Sequence, residues 1–118
     1  MAGYVDGFVL PVPTKQLPAY RKMARLAGKI YRELGAQAYV ETVADDVKPG
    51  KWTSFPQSVK LKRDETVMFS WIVFRSRAHR DRVNAKVMTD PRLNMSPAKM
   101  PFDVKRMAYG GFKTLVSL

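Results

Sequence analysis

The amino-acid sequence predicts an α+β fold in which one four-stranded antiparallel sheet carries two helices on one of its faces. Three observations support this. Four segments have the alternation or the apolar character of strands, two have helical periodicity, and their order is strand, helix, strand, strand, helix, strand. This is the ferredoxin-like βαββαβ order, which places the first and third strands in the middle of the sheet. The length of 118 residues fits a single domain over residues 1–118.

The first part of the chain supplies a strand and a long helix. Residues 4–13 (YVDGFVLPVP) alternate between two faces, and we expect Pro11 and Pro13 to end the pairing of this strand. Residues 14–35 carry apolar side chains at three- and four-residue steps, and Gly35 is a suitable stop for the helix.

The segment at residues 66–74 (TVMFSWIVF) has large apolar residues on both faces, which is typical of a central strand covered on both sides. Residues 36–44 predict a further strand, and residues 55–60 predict one helical turn. Because both long helices cover the same face of the sheet, the other face also needs a cover. A second copy of the same sheet is the simplest one, so the sequence predicts a two-fold homodimer that forms an α/β barrel.

The last third begins with a helix, RAHRDRVNAKVM, for which Ser76 is the expected N-cap. Residues 92–103 predict a long loop. Residues 105–118 predict the last strand, in which Gly110 and Gly111 indicate a bulge or a close backbone approach.

The charge of the chain favours anionic partners. Lys and Arg number 21, Asp and Glu 10, and the formal net charge is +11. A field of this sign attracts nucleic acid, anionic membrane surfaces and acidic metabolites. The absence of cysteine excludes disulfides and agrees with a cytoplasmic location. The apolar run FVLPV is too short for a signal peptide or a membrane span, so we expect no membrane partner.

The sequence contains no motif that names a reaction. One histidine and no cysteine leave no transition-metal motif, and the acidic pairs lack the spacing of a calcium loop. The stretch PGKWTS lacks the serine or threonine that must follow GK in a phosphate-binding loop. We therefore expect neither a metal nor a cofactor.

His79 is the first candidate for proton transfer, because a histidine with its ordinary pKa is poised near neutral pH. It has helical spacing with Val83 and Val87, so its ring should lean toward the sheet. There it is either packed in the core or lines a pocket.

Asp6 is the second candidate, because a charged residue is disfavoured in the middle of a strand. If buried, it needs a partner such as Arg106 or Tyr109, and a hydrogen bond or ion pair at a dimer interface is the favoured explanation. Glu41, beside Tyr39 in the second strand, allows the same two interpretations.

The chain also resembles a known family. The blocks YVDGFVLPVP, GAQAYVETVADDV, SFPQSVKLK, FSWIVFRSRAHRDRVNAKVM and MPFDVKRMAYGGF cover nearly all of it and are similar to the YbaA-like family of uncharacterised bacterial proteins. That family resembles the dimeric α/β-barrel superfamily, which includes cofactor-free monooxygenases of antibiotic biosynthesis and heme-binding chlorite dismutases. The resemblance implies a homodimer with face-to-face sheets and a cavity between each sheet and its own helices. Some relatives carry a genome label that links them to signal recognition particle RNA.

Three functions stay open, and the sequence does not decide whether the protein is an enzyme. The favoured one is binding of a small organic molecule, which the charge suggests is anionic, between sheet and helices, with monooxygenase-like or isomerase-like chemistry that needs no cofactor. In this hypothesis His79 or Asp6 moves a proton, Arg75 or Arg106 holds negative charge, and Trp71 and Tyr109 line the pocket.

The other two functions are RNA association and a purely structural dimer. In the former, basic helix faces hold phosphates without sequence preference. The residues of this alternative site are Arg21, Arg25, Lys29, Arg32, Arg77, Arg80 and Arg82.

Overall fold

A computed structural model describes residues 3–93 and 96–118 and confirms the α+β fold with one four-stranded antiparallel sheet. The strands are β1 (Tyr4–Pro13), β2 (Ala38–Val43), β3 (Glu65–Phe74) and β4 (Ala108–Lys113), in the order β2-β3-β1-β4. The helices are α1 (Leu17–Glu33), the short α2 (Phe55–Ser58) and α3 (Arg77–Met88). Single 3-10 turns span Thr14–Gln16, Pro97–Lys99 and Val104–Arg106. Two residues of the predicted loop, Asn94 and Met95, lie outside the described residues.

The prolines of β1 do not end its pairing with β3, which corrects the expectation from the sequence. The ladder extends over all ten residues of β1. Just beyond it, the N–H of Thr14 donates to the carbonyl of Asp64 at 2.9 Å. Because alternate N–H groups of a strand point to opposite edges, Pro11 and Pro13 face the β4 side. Pairing with β4 ends at Val9, so neither missing N–H interrupts a ladder.

Both long helices pack on the same face of the sheet. One core cluster joins Ile30 of α1, Phe74 of β3 and Val87 of α3, all fully buried. The predicted caps are present: Gly35 follows α1 with a φ of +122°, and the Ser76 hydroxyl accepts a hydrogen bond at the start of α3. These contacts fix α1 over the sheet and therefore position the cavities described below.

Neither long helix packs on the opposite face of the sheet, which we call the open sheet face. The short α2 covers one end of it, where the Phe55 ring lies edge-on against Phe69 with centroids 5.7 Å apart. Phe69 and Phe112 are 46% and 63% exposed there, and the Phe69 and Trp71 ring centroids are 5.7 Å apart. The alternation and register of the strands place on this face Val5, Gly7, Val9, Pro11, Ala38, Val40, Thr42, Val67, Phe69, Trp71, Val73, Ala108, Gly110 and Phe112, with Pro13 and Glu65 at one end. Glu65 is the one charged residue of this set, and it is bound to Arg106.

Of the two glycines of β4, Gly111 marks a close approach of side chains to the backbone, and neither lies in a bulge. The register between β1 and β4 is continuous across both positions. A Cβ atom on Gly111 would overlap the Tyr4 hydroxyl and lie 2.8 Å from Arg80 Nη1. Glycine is therefore required there because these side chains cross over the backbone of β4. The strand itself is shorter than predicted and begins at Ala108.

No described helix is long and apolar enough to cross a membrane.

Candidate functional site

A cavity of about 820 Å³ lies between the sheet and α1 and is covered by the segment that leads into β4. This volume falls in the range of small-molecule sites. The sheet, α1 and this segment all contribute to a lining that is largely apolar. Its apolar residues include Phe8, Leu10, Met23, Ile72, Phe102 and Met107. A cavity between the sheet and its helices was what the family resemblance implied.

The polar groups of this cavity are centred on Glu41 of β2. Glu41 Oε1 accepts a hydrogen bond from the Tyr20 hydroxyl at 2.7 Å, and Oε2 accepts one from the Tyr39 hydroxyl at 2.8 Å. Ser70 lies directly opposite Glu41 in the sheet register and is 5% exposed. We call these four residues the Glu41 cluster.

Both tyrosines of the Glu41 cluster stay protonated. Burial raises the pKa of Tyr20 and of Tyr39 well above the usual range, and the Glu41 carboxylate raises both further. Each phenol therefore acts as a donor, and Glu41 acts as the acceptor. A carboxylate has about four lone-pair positions, so two bonds leave it able to accept from a ligand.

Local sequence explains how the cluster forms. Tyr39 and Glu41 are two residues apart in β2, so their side chains share the helix-facing side of the strand. Gly28 of α1 lets the helix backbone lie against the Tyr39 ring. Tyr20 then reaches Glu41 from the first half of the same helix.

A second depression, the basic groove, has a volume of about 620 Å³ and lies between α1 and the edge strand β2. Tyr20, Tyr39 and Glu41 line it as well as the cavity, so they form a wall between the two. Four of the predicted RNA-contacting residues come together along its α1 side, namely Arg21, Arg25, Lys29 and Arg32.

The cations of α3 are not part of this groove. Arg77 and Arg82 are exposed, whereas Arg80 is held in ion pairs with Asp6 and Asp81. The seven residues predicted as one RNA surface therefore differ in how freely their charges face solvent.

His79 is buried, as its helical spacing predicted, but it lies outside the lining of both cavities. Its Nδ1 accepts a hydrogen bond from the backbone N–H of Arg75 at 3.0 Å, and its ring packs edge-on against Phe74. Burial lowers the pKa of His79, and the positive charges of Arg75 and Arg82 lower it further. Its geometry is that of a neutral residue that links α3 to the end of β3.

Asp6 is also buried and has a partner in its own chain. Its carboxylate accepts from Arg80 Nη1 at 2.5 Å, and Arg80 Nε donates to the exposed Asp81 at 2.7 Å. The partner is thus neither Arg106 nor Tyr109, because the Arg80 side chain extends from α3 over the Tyr4 ring and reaches Asp6. Asp6 does not line either cavity.

The charge of Arg106 is paired with two carboxylates of the same chain. Its two terminal nitrogens donate to the Glu65 carboxylate at 2.7 and 2.5 Å, and its Nε donates to Asp103 at 3.0 Å. It also donates to the backbone carbonyl of Lys60. This network anchors the segment that covers the cavity to the start of β3.

The other predicted ligand-binding residues are dispersed. Arg75 and Tyr109 are exposed and outside the cavity lining, and the Tyr109 ring stacks on Phe8 at 6.1 Å. Trp71 contributes to the cavity lining, but alternation along β3 puts its side chain on the open sheet face.

The sequence indicated Glu41 and Tyr39 as candidates. It did not indicate that Tyr20 donates to the same carboxylate, nor that Ser70 lies opposite Glu41 in the sheet. The available signal was a carboxylate two residues from a tyrosine in a strand that faces a helix. Among the described residues, no three histidine, aspartate or glutamate side chains form a group suited to a metal ion.

The sequence matches the family described as "Protein of unknown function (DUF1428)" over residues 3–104. The chain belongs to this family. It is 48% identical over 113 residues to "Uncharacterized protein YbaA" of Escherichia coli strain K12, a match that covers 96% of this chain and 97% of that relative. The relatives of the same name in Escherichia coli O157:H7 and Shigella flexneri match with the same identity and coverage. The YbaA-like resemblance is thereby confirmed.

Proposed function

We propose that the protein is a cytoplasmic homodimer in which each subunit binds a small organic molecule in the cavity between the sheet and α1. The observation that carries this proposal is the Glu41 cluster, a carboxylate with unused lone pairs inside a largely apolar cavity of about 820 Å³. A few placed polar groups in an apolar enclosure are characteristic of ligand sites.

The cluster defines the ligand. A molecule that fills this cavity needs an apolar body and a hydroxyl, N–H or enol group that donates to Glu41. The two phenol donors fix the orientation of the carboxylate, so its remaining lone pairs select a ligand by the position of its donor. In this proposal Glu41 orients the ligand as a hydrogen-bond acceptor, and His79 and Asp6 maintain the scaffold around the cavity.

The proposed dimer interface is the open sheet face. Its aromatic and aliphatic residues have the composition of an interface core, and Phe69 and Phe112 stay exposed although Phe55 of α2 packs on one end of the face. The strand order β2-β3-β1-β4 supports a ferredoxin-like topology, and two such sheets facing each other would form the proposed barrel.

Binding of 1-naphthol tests the cavity. We expect isothermal titration to show 1-naphthol binding at least about tenfold more tightly than 1-methoxynaphthalene, which has the same shape but no donor. Glu41→Gln should reduce this preference, and Asp46→Asn at an exposed position after β2 is the control. Equal binding of both probes to the wild-type protein, or binding of neither, would overturn the proposal.

RNA association stays the alternative, and the α1 side of the basic groove is the feature that favours it. This alternative predicts that the protein binds single-stranded RNA and that its affinity for the RNA falls steeply as the salt concentration rises. A homodimer that binds neither RNA nor small molecules would support the structural alternative.

A further inference from the structure

Three of the α1 cations that line the basic groove have no partner among the described residues. Arg21, Arg25 and Lys29 are exposed and make no ion pair or hydrogen bond with any residue in 3–93 or 96–118. By contrast, Arg80 and Arg106 are each bound to two carboxylates. Other exposed cations, such as Arg77 and Arg82, are unpaired as well within the described part of the chain, but these three line one concave surface, the basic groove.

The spacing of these cations suits one small anionic group. Residues four apart on a helix are about 6 Å apart along its axis, so neighbouring members of the set can reach the same anion. The fourth cation of the groove, Arg32, donates to the backbone carbonyls of Ala36 and Gln37. It closes the groove at the end where the chain enters β2.

The floor of the basic groove is suited to an apolar body. Leu17, Ala24, Val43 and Met68 line it between the cationic rim and the sheet. Val43 is 51% exposed although it lies in a strand, so the floor is open to a ligand. The one acidic residue in the lining is Glu41, and both of its oxygens already accept hydrogen bonds from the two tyrosines.

We propose that the basic groove is a second ligand site, distinct from the cavity, which binds a small organic anion. The ligand carries a carboxylate or phosphate monoester group, which Arg25 and Lys29 hold, on an apolar body that covers Leu17, Ala24 and Val43. The net charge of +11 raises the local concentration of such anions. The groove volume of about 620 Å³ matches a single small molecule.

The test compares two matched double variants in titrations with 1-naphthyl phosphate, inorganic phosphate and a decameric single-stranded RNA. Arg25→Gln/Lys29→Gln removes two charges from the groove. Arg82→Gln/Lys86→Gln removes an exposed Arg–Lys pair of the same spacing from α3. Both should keep the far-ultraviolet circular dichroism of the wild type.

We expect the α1 variant to lower the affinity for 1-naphthyl phosphate at least about tenfold and the α3 variant to leave it within about twofold. We also expect inorganic phosphate to bind more weakly than 1-naphthyl phosphate. Equal losses in both variants would show a non-specific charge effect and overturn the site. Tighter binding of the RNA than of 1-naphthyl phosphate, lost in the α1 variant, would assign the groove to RNA instead. If 1-naphthol binds and 1-naphthyl phosphate does not, the groove inference fails while the cavity proposal stands.

Discussion

Gly28 of α1 lies so close to the Tyr39 ring of β2 that a Cβ atom on it would be 2.6 Å from Tyr39 Cδ1. Real side chains essentially never approach so closely, so any other residue at position 28 would displace the ring or the helix. Since Tyr39 donates to Glu41, the smallest residue of α1 controls the geometry of the wall between the cavity and the basic groove.

Gly28→Ala is expected to destabilise the protein, against the usual rule. In a helix interior this change normally stabilises by about 0.5–1 kcal/mol. Here the overlap with Tyr39 should outweigh that gain and lower the free energy of unfolding by about 1–3 kcal/mol. Urea denaturation measures the sign. In a Tyr39→Ala background the same substitution should become stabilising, and a stabilising effect in the wild type would contradict the close contact.

Asp6→Asn is expected to lower the free energy of unfolding strongly, because it removes the buried carboxylate that binds the Arg80 guanidinium. The side chains of Asp6 and Arg80 are 10% and 18% exposed, and breaking such a pair typically costs about 3–5 kcal/mol. Asp81 binds the same arginine but is 58% exposed, so Asp81→Asn should cost less than about 1 kcal/mol. Thermal or urea denaturation of the two variants makes the comparison, and equal costs would show that burial does not matter here.

Protonation of His79 should weaken the fold as the pH falls below about 6.5. Its pKa is lowered in the folded protein, so between pH 6.5 and that lowered value the unfolded chain binds a proton that the folded chain does not. The contribution of His79 to the free energy of unfolding is therefore fully present above pH 6.5 and declines on acidification. The lowered pKa values of Glu65 and Asp103 affect stability only in more acidic solution.

Urea denaturation at pH 7.5 and pH 5.5 measures this effect. His79→Asn keeps an acceptor for the Arg75 N–H but does not titrate in this range. Its stability should change less between the two pH values than that of the wild type. Identical changes would show that His79 is not the group responsible.

Arg106→Lys is expected to loosen the cover of the cavity. An ammonium group cannot reproduce the planar fork that binds both oxygens of Glu65 and also reaches Asp103. We expect a loss of about 1–3 kcal/mol and faster amide hydrogen exchange in residues 97–107. Arg63→Lys, at an exposed position in the turn before β3, is the control that should change neither quantity.

Trp71→Glu should prevent the proposed dimer from forming. It places a charge in the centre of the open sheet face, where a second copy would bury it. Light scattering after size exclusion should then show a monomer. Trp52→Glu changes a tryptophan that is 86% exposed and lies outside the strands, so it should leave the mass unchanged. A dimer that tolerates Trp71→Glu would exclude this face as the interface.

Features that depend on neighbours in the sequence were predictable. The apolar character of β3 on both faces, the cap at Ser76 and the stop at Gly35 each follow from a few adjacent residues. The position of the strands followed in the same way, because alternation is a local property.

Features that depend on distant residues were not predictable from one sequence. Asp6 and Arg80 are 74 positions apart, and Tyr20 and Glu41 are 21 apart. Which arginine binds Asp6 depends on how α3 packs on the sheet, and hydrophobic periodicity does not specify that packing. The same holds for the Glu41 cluster, since its members become neighbours only after α1 has packed on the sheet.

The two prolines of β1 also bear on how the protein behaves at high concentration. Beyond Val9, the side of β1 that faces away from β3 has no strand beside it, and both prolines fall on this side. Pro11 is fully buried, and the turn Val104–Arg106 contacts β1, so this edge is covered by a turn instead of a strand. Because a proline has no N–H, the cover leaves no donor unpaired at these two positions, and an incoming strand would find no donor there either.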